Sequence, residues 1–194
     1  NINLLEPVGQ FGTRLHGGKD SSSPRYIFTH LSKAFKDIFN ENDFNIIEYL
    51  NDDGQEIEPK FYIPTLPMIL INGACGIGTG FSSDIPCFNP DDVKERLLKL
   101  VEDEDSDIDE LTPWYRNFKG KIKKVENNKW TTHGTYTIKA NVITINELPI
   151  GTWTNDYKIF LDKLELDGTI FSYVNNSTES EVNFEIKCPL ENVI

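Results

Sequence analysis

Alternation is the property of this sequence that most narrows what it can fold into. Tyr136 and Ile138, then Ile143 and Ile145, take every second place among polar neighbours, and Val182, Phe184, Ile186 and Cys188 do the same. Strand side chains point in turn to the two faces of a sheet, so each run can bury one face and wet the other. Asn127-Asn128 and Ala140-Asn141 mark turns, so residues 118–147 are expected to form an antiparallel meander. Helical spacing occurs elsewhere. Asn89 can cap a helix that has Pro90 at its first position, Asp91 and Asp92 near its positive end, and Val93, Leu97 and Leu100 as its stripe. Tyr157, Phe160, Leu161 and Leu164 predict another. The two periodicities occupy separate stretches, which predicts an α+β chain with an antiparallel sheet.

The first 60 residues read as loop, helix and a short second helix with Phe44, Ile47, Tyr49 and Leu50, closed by the turn Asn51-Asp52-Asp53-Gly54. The first helix is expected to be capped by Ser21, Ser22 or Ser23, to start at Pro24 and to bury Phe28, Leu31, Phe35 and Ile38. Arg25-Tyr26 then lies in its first turn, with Tyr26 on the polar face beside His30, Lys33 and Asp37. A tyrosine near a helix start is most often a half-buried packing residue. The preceding segment favours another use, because Gly9, Gln10, Phe11, Gly12, Thr13, Arg14, Gly17, Gly18, Lys19 and Asp20 combine glycines with basic side chains. Such a loop can offer backbone N–H groups to an anion ahead of a helix N-terminus. Further along, Glu58-Pro59 and Ile63-Pro64 mark an extended passage into a new unit.

A net charge of −12 argues at first against a nucleic-acid partner, but the charge is unevenly spread. Residues 1–40 carry five basic side chains against three carboxylates, and residues 114–140 carry seven against Glu126 alone. Residues 91–110 hold ten carboxylates and three basic groups, a run that reads by default as solvated surface. The three cysteines, Cys75, Cys87 and Cys188, are odd in number and lack metal-ligand spacing. They fit a reducing compartment and are expected to be buried as small hydrophobes. The chain begins with Asn1 and shows no signal peptide or long apolar span, so it reads as an internal piece of a larger protein. Gly76, Gly78 and Gly80 alternate, but no Gly-Lys-Ser/Thr follows, and the third glycine comes one residue early for a dinucleotide fingerprint. A tight structural turn is the plain reading there.

The stretch from Asn1-Ile2-Asn3-Leu4-Leu5 through Gly9-Gln10-Phe11-Gly12-Thr13-Arg14 to Arg25-Tyr26 resembles the active-site tyrosine segment of the eukaryotic-type type IIA DNA topoisomerases. Leu66-Pro67-Met68-Ile69-Leu70-Ile71-Asn72-Gly73, Gly76-Ile77-Gly78-Thr79-Gly80, Ile85-Pro86 and Asn89-Pro90 are similar to a second block of that family. Glu147-Leu148-Pro149 with Thr152-Trp153-Thr154 makes a third. Two departures stand out: Pro24 replaces the small residue that commonly precedes the Arg-Tyr pair, and Cys75 stands where a polar residue is common.

The resemblance implies the C-terminal half of a winged-helix domain over residues 1–62, followed over 63–194 by a mixed α/β tower (shoulder) domain with an antiparallel sheet. It implies that Tyr26 attacks a DNA phosphate and becomes joined to the 5′ end, with Arg25 stabilising the phosphate charge. Gln10, Gly12, Thr13, Arg14 and Lys19 are then DNA contacts, and Ile77 is an apolar wedge between base pairs. It further implies a nuclear homodimer acting on double-stranded DNA, with no membrane partner. Mg2+ and ATP are expected to bind elsewhere in that larger enzyme, and this piece alone is expected to bind DNA weakly and cut nothing. Two other readings stay open from the residues: a non-catalytic DNA-binding module, and a protein-interaction scaffold favoured by the negative charge.

Overall fold

A computed structural model of the chain describes residues 1–103 and 110–189. It is a mixed α/β structure in two compact units, each made of two chain segments. The first comprises Asn1–Glu6 with Thr29–Arg116, and the second Pro7–Phe28 with Asn117–Ile194. This contact-based grouping is a different division of the chain from one placed at residue 62, and it leaves the tyrosine loop with the C-terminal segment.

Before and after that loop come the strands β1 (Leu5–Val8) and β2 (Phe28–Leu31), which pair. The helix expected from Pro24 to Ile38 is not continuous. Pro24–Tyr26 form a single 3-10 turn, Ile27 is extended at φ −123° and ψ 148°, and α1 covers Lys33–Ile38 only. Phe28 and Leu31 therefore lie in a strand, 66% and 56% exposed, and only Ile38 of the expected stripe is buried. The run Tyr26-Ile27-Phe28-Thr29 is aromatic and β-branched, which favours pairing with β1 over the helix that the spacing suggested.

Within the first unit, the short second helix expected around Phe44, Ile47, Tyr49 and Leu50 shrinks to a 3-10 turn at Asp43–Asn45, and Tyr49 and Leu50 lie instead in β3 (Tyr49–Asp52), which pairs with β4 (Gln55–Pro59). The Asn51–Gly54 turn is real but joins strands. Asp53 and Gly54 both have positive φ, 48° and 85°, as the tight hairpin turn with matching twist requires. Helix α2 (Met68–Asn72) leads into the hairpin β5 (Ala74–Gly78)–β6 (Phe81–Ile85), and α3 spans Pro90–Glu102. The Asn89 side chain accepts from the Asp91 N–H at 2.9 Å, as its capping position predicts. Ile71, Phe88 and Val93 form the core here, with Leu66, Met68 and Leu97 against it. Asn72 exchanges two 2.9 Å hydrogen bonds with the backbone of Ile2, and Asn1 donates to Ile71 O at 2.8 Å, which fastens the N-terminal segment to that core.

In the second unit β7 (Lys121–Glu126) and β8 (Lys129–His133) form one hairpin, with Asn128 at φ 58° in its turn. β9 (Thr135–Lys139) and β10 (Val142–Glu147) form another, joined through Ala140 at φ 53°. Both turns stand where expected, but the four strands are not one meander. β9 and β10 belong to an antiparallel sheet of order β11-β12-β10-β9, with β11 at Ser172–Asn175 and β12 at Phe184–Lys187. Helix α4 (Thr154–Leu166) supplies Leu161 to the core, beside Leu148, Ile170, Val182, Phe184, Ile186 and Cys188. The Tyr157 ring meets Phe184 edge-on at 5.2 Å.

Only Cys188 is buried as expected. Cys87 is half-buried, and Cys75 is exposed on the two-stranded β5–β6 hairpin, where its facing neighbours among the described residues are exposed as well. The acidic run 91–110 falls partly outside the described residues. Among those residues no helix is long and apolar enough to cross a membrane.

Candidate functional site

Tyr26 closes the 3-10 turn, and its N–H donates to Ser23 O at 2.9 Å. No residue of that turn is buried, and Tyr26 is 65% exposed. The outward reading of its side chain therefore stands, although the helix behind it does not. Arg25 Cζ lies 5.4 Å from the centre of the Tyr26 ring, a cation–π distance. The turn is backed by Gly9, where φ is 107° and a Cβ would come 3.2 Å from Tyr26 O and 3.1 Å from Ile27 Cγ2.

The loop in front of the turn is bonded to itself. Gln10 Oε1 accepts from the Gly12 N–H at 3.0 Å, and Gln10 O accepts from the Ser22 N–H at 2.9 Å. Asp20 accepts from the Thr13 N–H at 2.9 Å and from the Thr13 hydroxyl at 2.5 Å. That hydroxyl bond, followed by the amide bond, holds the Asp20 carboxyl below its ordinary pKa. Gly18 N–H donates to Thr13 O at 3.0 Å, and a Cβ on Gly12 would sit 2.4 Å from Gly18 Cα. The amides of Gly12, Thr13 and Gly18 therefore have partners inside the loop. Sequence reasoning pictured them as free donors for an anion; the compact glycine packing uses them instead to fix the loop's shape.

A second layer of contacts mounts this loop on the C-terminal part of its own unit. The Arg14 guanidinium pairs with Glu147, whose side chain is 2% exposed. Glu147 also accepts from the Leu148 N–H at 2.9 Å and the Lys119 N–H at 3.2 Å, so the buried carboxylate has three donors. Arg14 N–H donates to Glu179 O at 3.2 Å. Leu15 O accepts from the Asn155 N–H at 3.0 Å, and the Asn155 amide nitrogen lies 2.8 Å from His16 Nε2. Gly17, at φ 61°, lies flat on Trp153, where a Cβ would come 2.2 Å from the indole Cε2. The third sequence block is thus the seat of the tyrosine loop.

Glu147, Trp153 and Asn155 were missed as partners of that loop. The available signal was sequence alternation: Glu147 falls two places after Ile145, as Ile145 does after Ile143, and a buried carboxylate needs a cation, although the strand register shifts between Ile145 and Glu147. Of the expected contact residues, Lys19 and Arg25 are exposed, Arg14 is committed to Glu147, and Gln10, Gly12 and Thr13 build the loop.

Ile77 belongs to the other unit. It lies on β5 opposite Ser82 and is 93% exposed, the most exposed large hydrophobic among the described residues. Phe81, 84% exposed, stands opposite Gly78 and so points to the other face of the hairpin. A Cβ on Gly76 would meet nothing within 4 Å, so no contact within the protein calls for glycine there.

Among the described residues no group of three or more His, Cys, Asp or Glu could hold a metal ion. The family profile of the DNA gyrase/topoisomerase IV A-type subunits matches residues 1–193. DNA topoisomerase 2 of Plasmodium falciparum is 46% identical over 191 residues, which is 96% of this chain and 14% of that protein. A Dictyostelium discoideum protein named mitochondrial DNA topoisomerase 2 is 44% identical over 96% of this chain and 14% of its own length. The crystal structure of the Plasmodium falciparum topoisomerase II DNA-binding, cleavage and re-ligation domain superimposes with a TM-score of 0.91 at 44% identity. It covers all of this chain, which in turn spans 27% of the crystallised one.

Proposed function

Because the chain belongs to the DNA gyrase/topoisomerase IV family of A-type subunits, we propose that it is the DNA cleavage and religation segment of an ATP-dependent type II topoisomerase. Tyr26 is the nucleophile. The observation that carries this reading is a 65% exposed tyrosine, beside a guanidinium at 5.4 Å, on a turn braced by an internally bonded loop. In the reaction, Tyr26 Oη bonds to phosphorus and the bond from phosphorus to the 3′ oxygen breaks. The phenol loses its proton as it attacks, and the departing oxygen gains one to become a 3′ hydroxyl. The 5′-phosphotyrosyl link conserves the bond energy, and a phenolate leaves readily when the strand is resealed. Arg25 has the fork that matches phosphate oxygens and stabilises charge there.

Gln10, Gly12, Thr13, Arg14 and Lys19 form the DNA-facing loop, with Lys19 meeting phosphate directly. Residues 1–62 correspond to the later part of a winged-helix domain and 63–194 to the tower. Divalent metal would clamp the phosphate and the leaving oxygen. Among the described residues no group of three or more candidate ligands occurs, and on the family reading Mg2+, like ATP, is held by other parts of the longer protein. On this reading the longer protein is a homodimer that acts on double-stranded DNA in the nucleus, and the isolated segment is inactive. The experiment is detergent trapping: full-length protein, duplex DNA and magnesium should yield a covalent complex. Strong binding with no trapped complex would favour the non-catalytic module instead.

Ile77 supplies the bend. An apolar side chain pushed into a base step unstacks it for a few kcal/mol and permits a kink. The bare strand on either side of it, at Gly76 and Gly78, suits close approach by a base pair. Ile77→Ala should reduce the DNA bend angle seen by energy transfer between end-labelled fluorophores. Because the side chain touches solvent, unfolding should shift by less than about 0.5 kcal/mol. An unchanged bend angle would remove the wedge role.

A further inference from the structure

The second basic segment, residues 114–140, takes no part in the cleavage chemistry. It holds seven basic side chains against Glu126 alone, in a chain whose net charge is −12. The β7–β8 hairpin arranges them. Lys121 stands opposite His133, and Lys123 opposite Thr131. Alternation places these four exposed side chains on one face, with half-buried Ile122, Trp130 and Thr132 on the other. Lys129 is paired with Glu126 at 2.9 Å and Lys119 lies 3.8 Å from Glu181, but Lys121 and Lys123 have no carboxylate partner among the described residues. Two like charges on alternate residues of a strand lie roughly 7 Å apart and repel each other, a cost that a bound polyanion removes.

The ribbon is also firmly rooted. A Cβ on Gly120 would come 2.1 Å from His133 O, and one on Gly134 would come 2.0 Å from Glu147 O. Lys119 N–H donates to Glu147 Oε2 at 3.2 Å, and Ile150 N–H donates to Thr132 Oγ1 at 3.1 Å. Glu147 to Asn155 is the segment that seats the Tyr26 loop, so ribbon and tyrosine share one frame within one unit.

We propose that the Lys121–Lys123 face of this ribbon is a second phosphate-contact surface for the duplex cleaved at Tyr26. The idea rests on the cleavage reading above but is tested separately from it. Each lysine that neutralises a phosphate releases counterions, so its loss flattens the salt dependence of binding. In the full-length protein, Lys121→Ala/Lys123→Ala should lower the slope of log K against log salt by about 2, as read by fluorescence anisotropy with duplex DNA and no magnesium. Lys121→Arg/Lys123→Arg should keep the wild-type slope. Lys158→Ala/Lys163→Ala on α4 removes the same charge elsewhere and should change the slope by less than half as much.

An unchanged slope in the alanine ribbon variant, or an equal loss in the α4 control, overturns the proposal. Covalent capture is scored in parallel samples with magnesium. Its absence there would undo the cleavage reading, while the slopes alone decide the ribbon.

Discussion

Tyr26→Phe in the full-length protein should lower DNA cleavage by at least about four orders of magnitude, since no other group on the 3-10 turn can take over the attack. Binding of duplex DNA should stay within about twofold, because the ring, its stacking on Arg25 and the turn all persist. The fold has little reason to respond. Tyr26 is 65% exposed, and its hydroxyl has no hydrogen-bond partner among the described residues. The two readouts are a gel assay of supercoiled DNA linearised under detergent and an anisotropy titration. A variant that still cleaves would remove Tyr26 from the chemistry. A variant that neither cleaves nor binds would assign it a role in affinity instead.

Glu147→Ala should be the most damaging change to stability. Its carboxylate is 2% exposed, faces the Arg14 guanidinium and accepts two backbone N–H groups. Removing one partner of a buried pair leaves the other uncompensated, at a cost of about 3–5 kcal/mol. Arg14 is 28% exposed and can turn part of its guanidinium toward water, so the loss should lie near the lower end. Arg14→Met and Glu147→Leu should each destabilise singly, and Arg14→Met/Glu147→Leu should cost much less than the sum of those two changes. Urea unfolding of the four proteins of this cycle gives the coupling. Additive losses would mean that the pair does not hold the loop.

The regular strands and long helices were legible because their signals are periodic and local. α3 carries its cap, its proline and its stripe in consecutive residues, and β12 alternates cleanly through Phe184 and Ile186. The 3-10 turn at Pro24 was not legible. Phe28, Leu31, Phe35 and Ile38 satisfy helical spacing, yet the pairing of Phe28–Leu31 with Leu5–Val8 is a contact about twenty residues away that no local window contains. β3 was hidden for the same reason, since Tyr49 and Leu50 fit either period.

At the site, the sequence pointed to the outward Tyr26 and to Arg25 beside it. It did not reveal the duties of the loop residues. A glycine-rich basic loop can cradle an anion or close on itself, and the choice depended on Asp20 meeting Thr13 and on Trp153 covering Gly17. The second of these joins residues 136 positions apart, beyond what spacing can reveal.

The most direct measurement is peptide mapping of the covalent complex. Full-length protein is incubated with end-labelled duplex DNA and magnesium, denatured in detergent and digested with protease and nuclease. The account predicts a mass increment on the peptide that contains Tyr26, carried as a 5′-phosphotyrosine, with free 3′ hydroxyls on the cut DNA. An adduct on any other residue, or a link through the 3′ end, would contradict it.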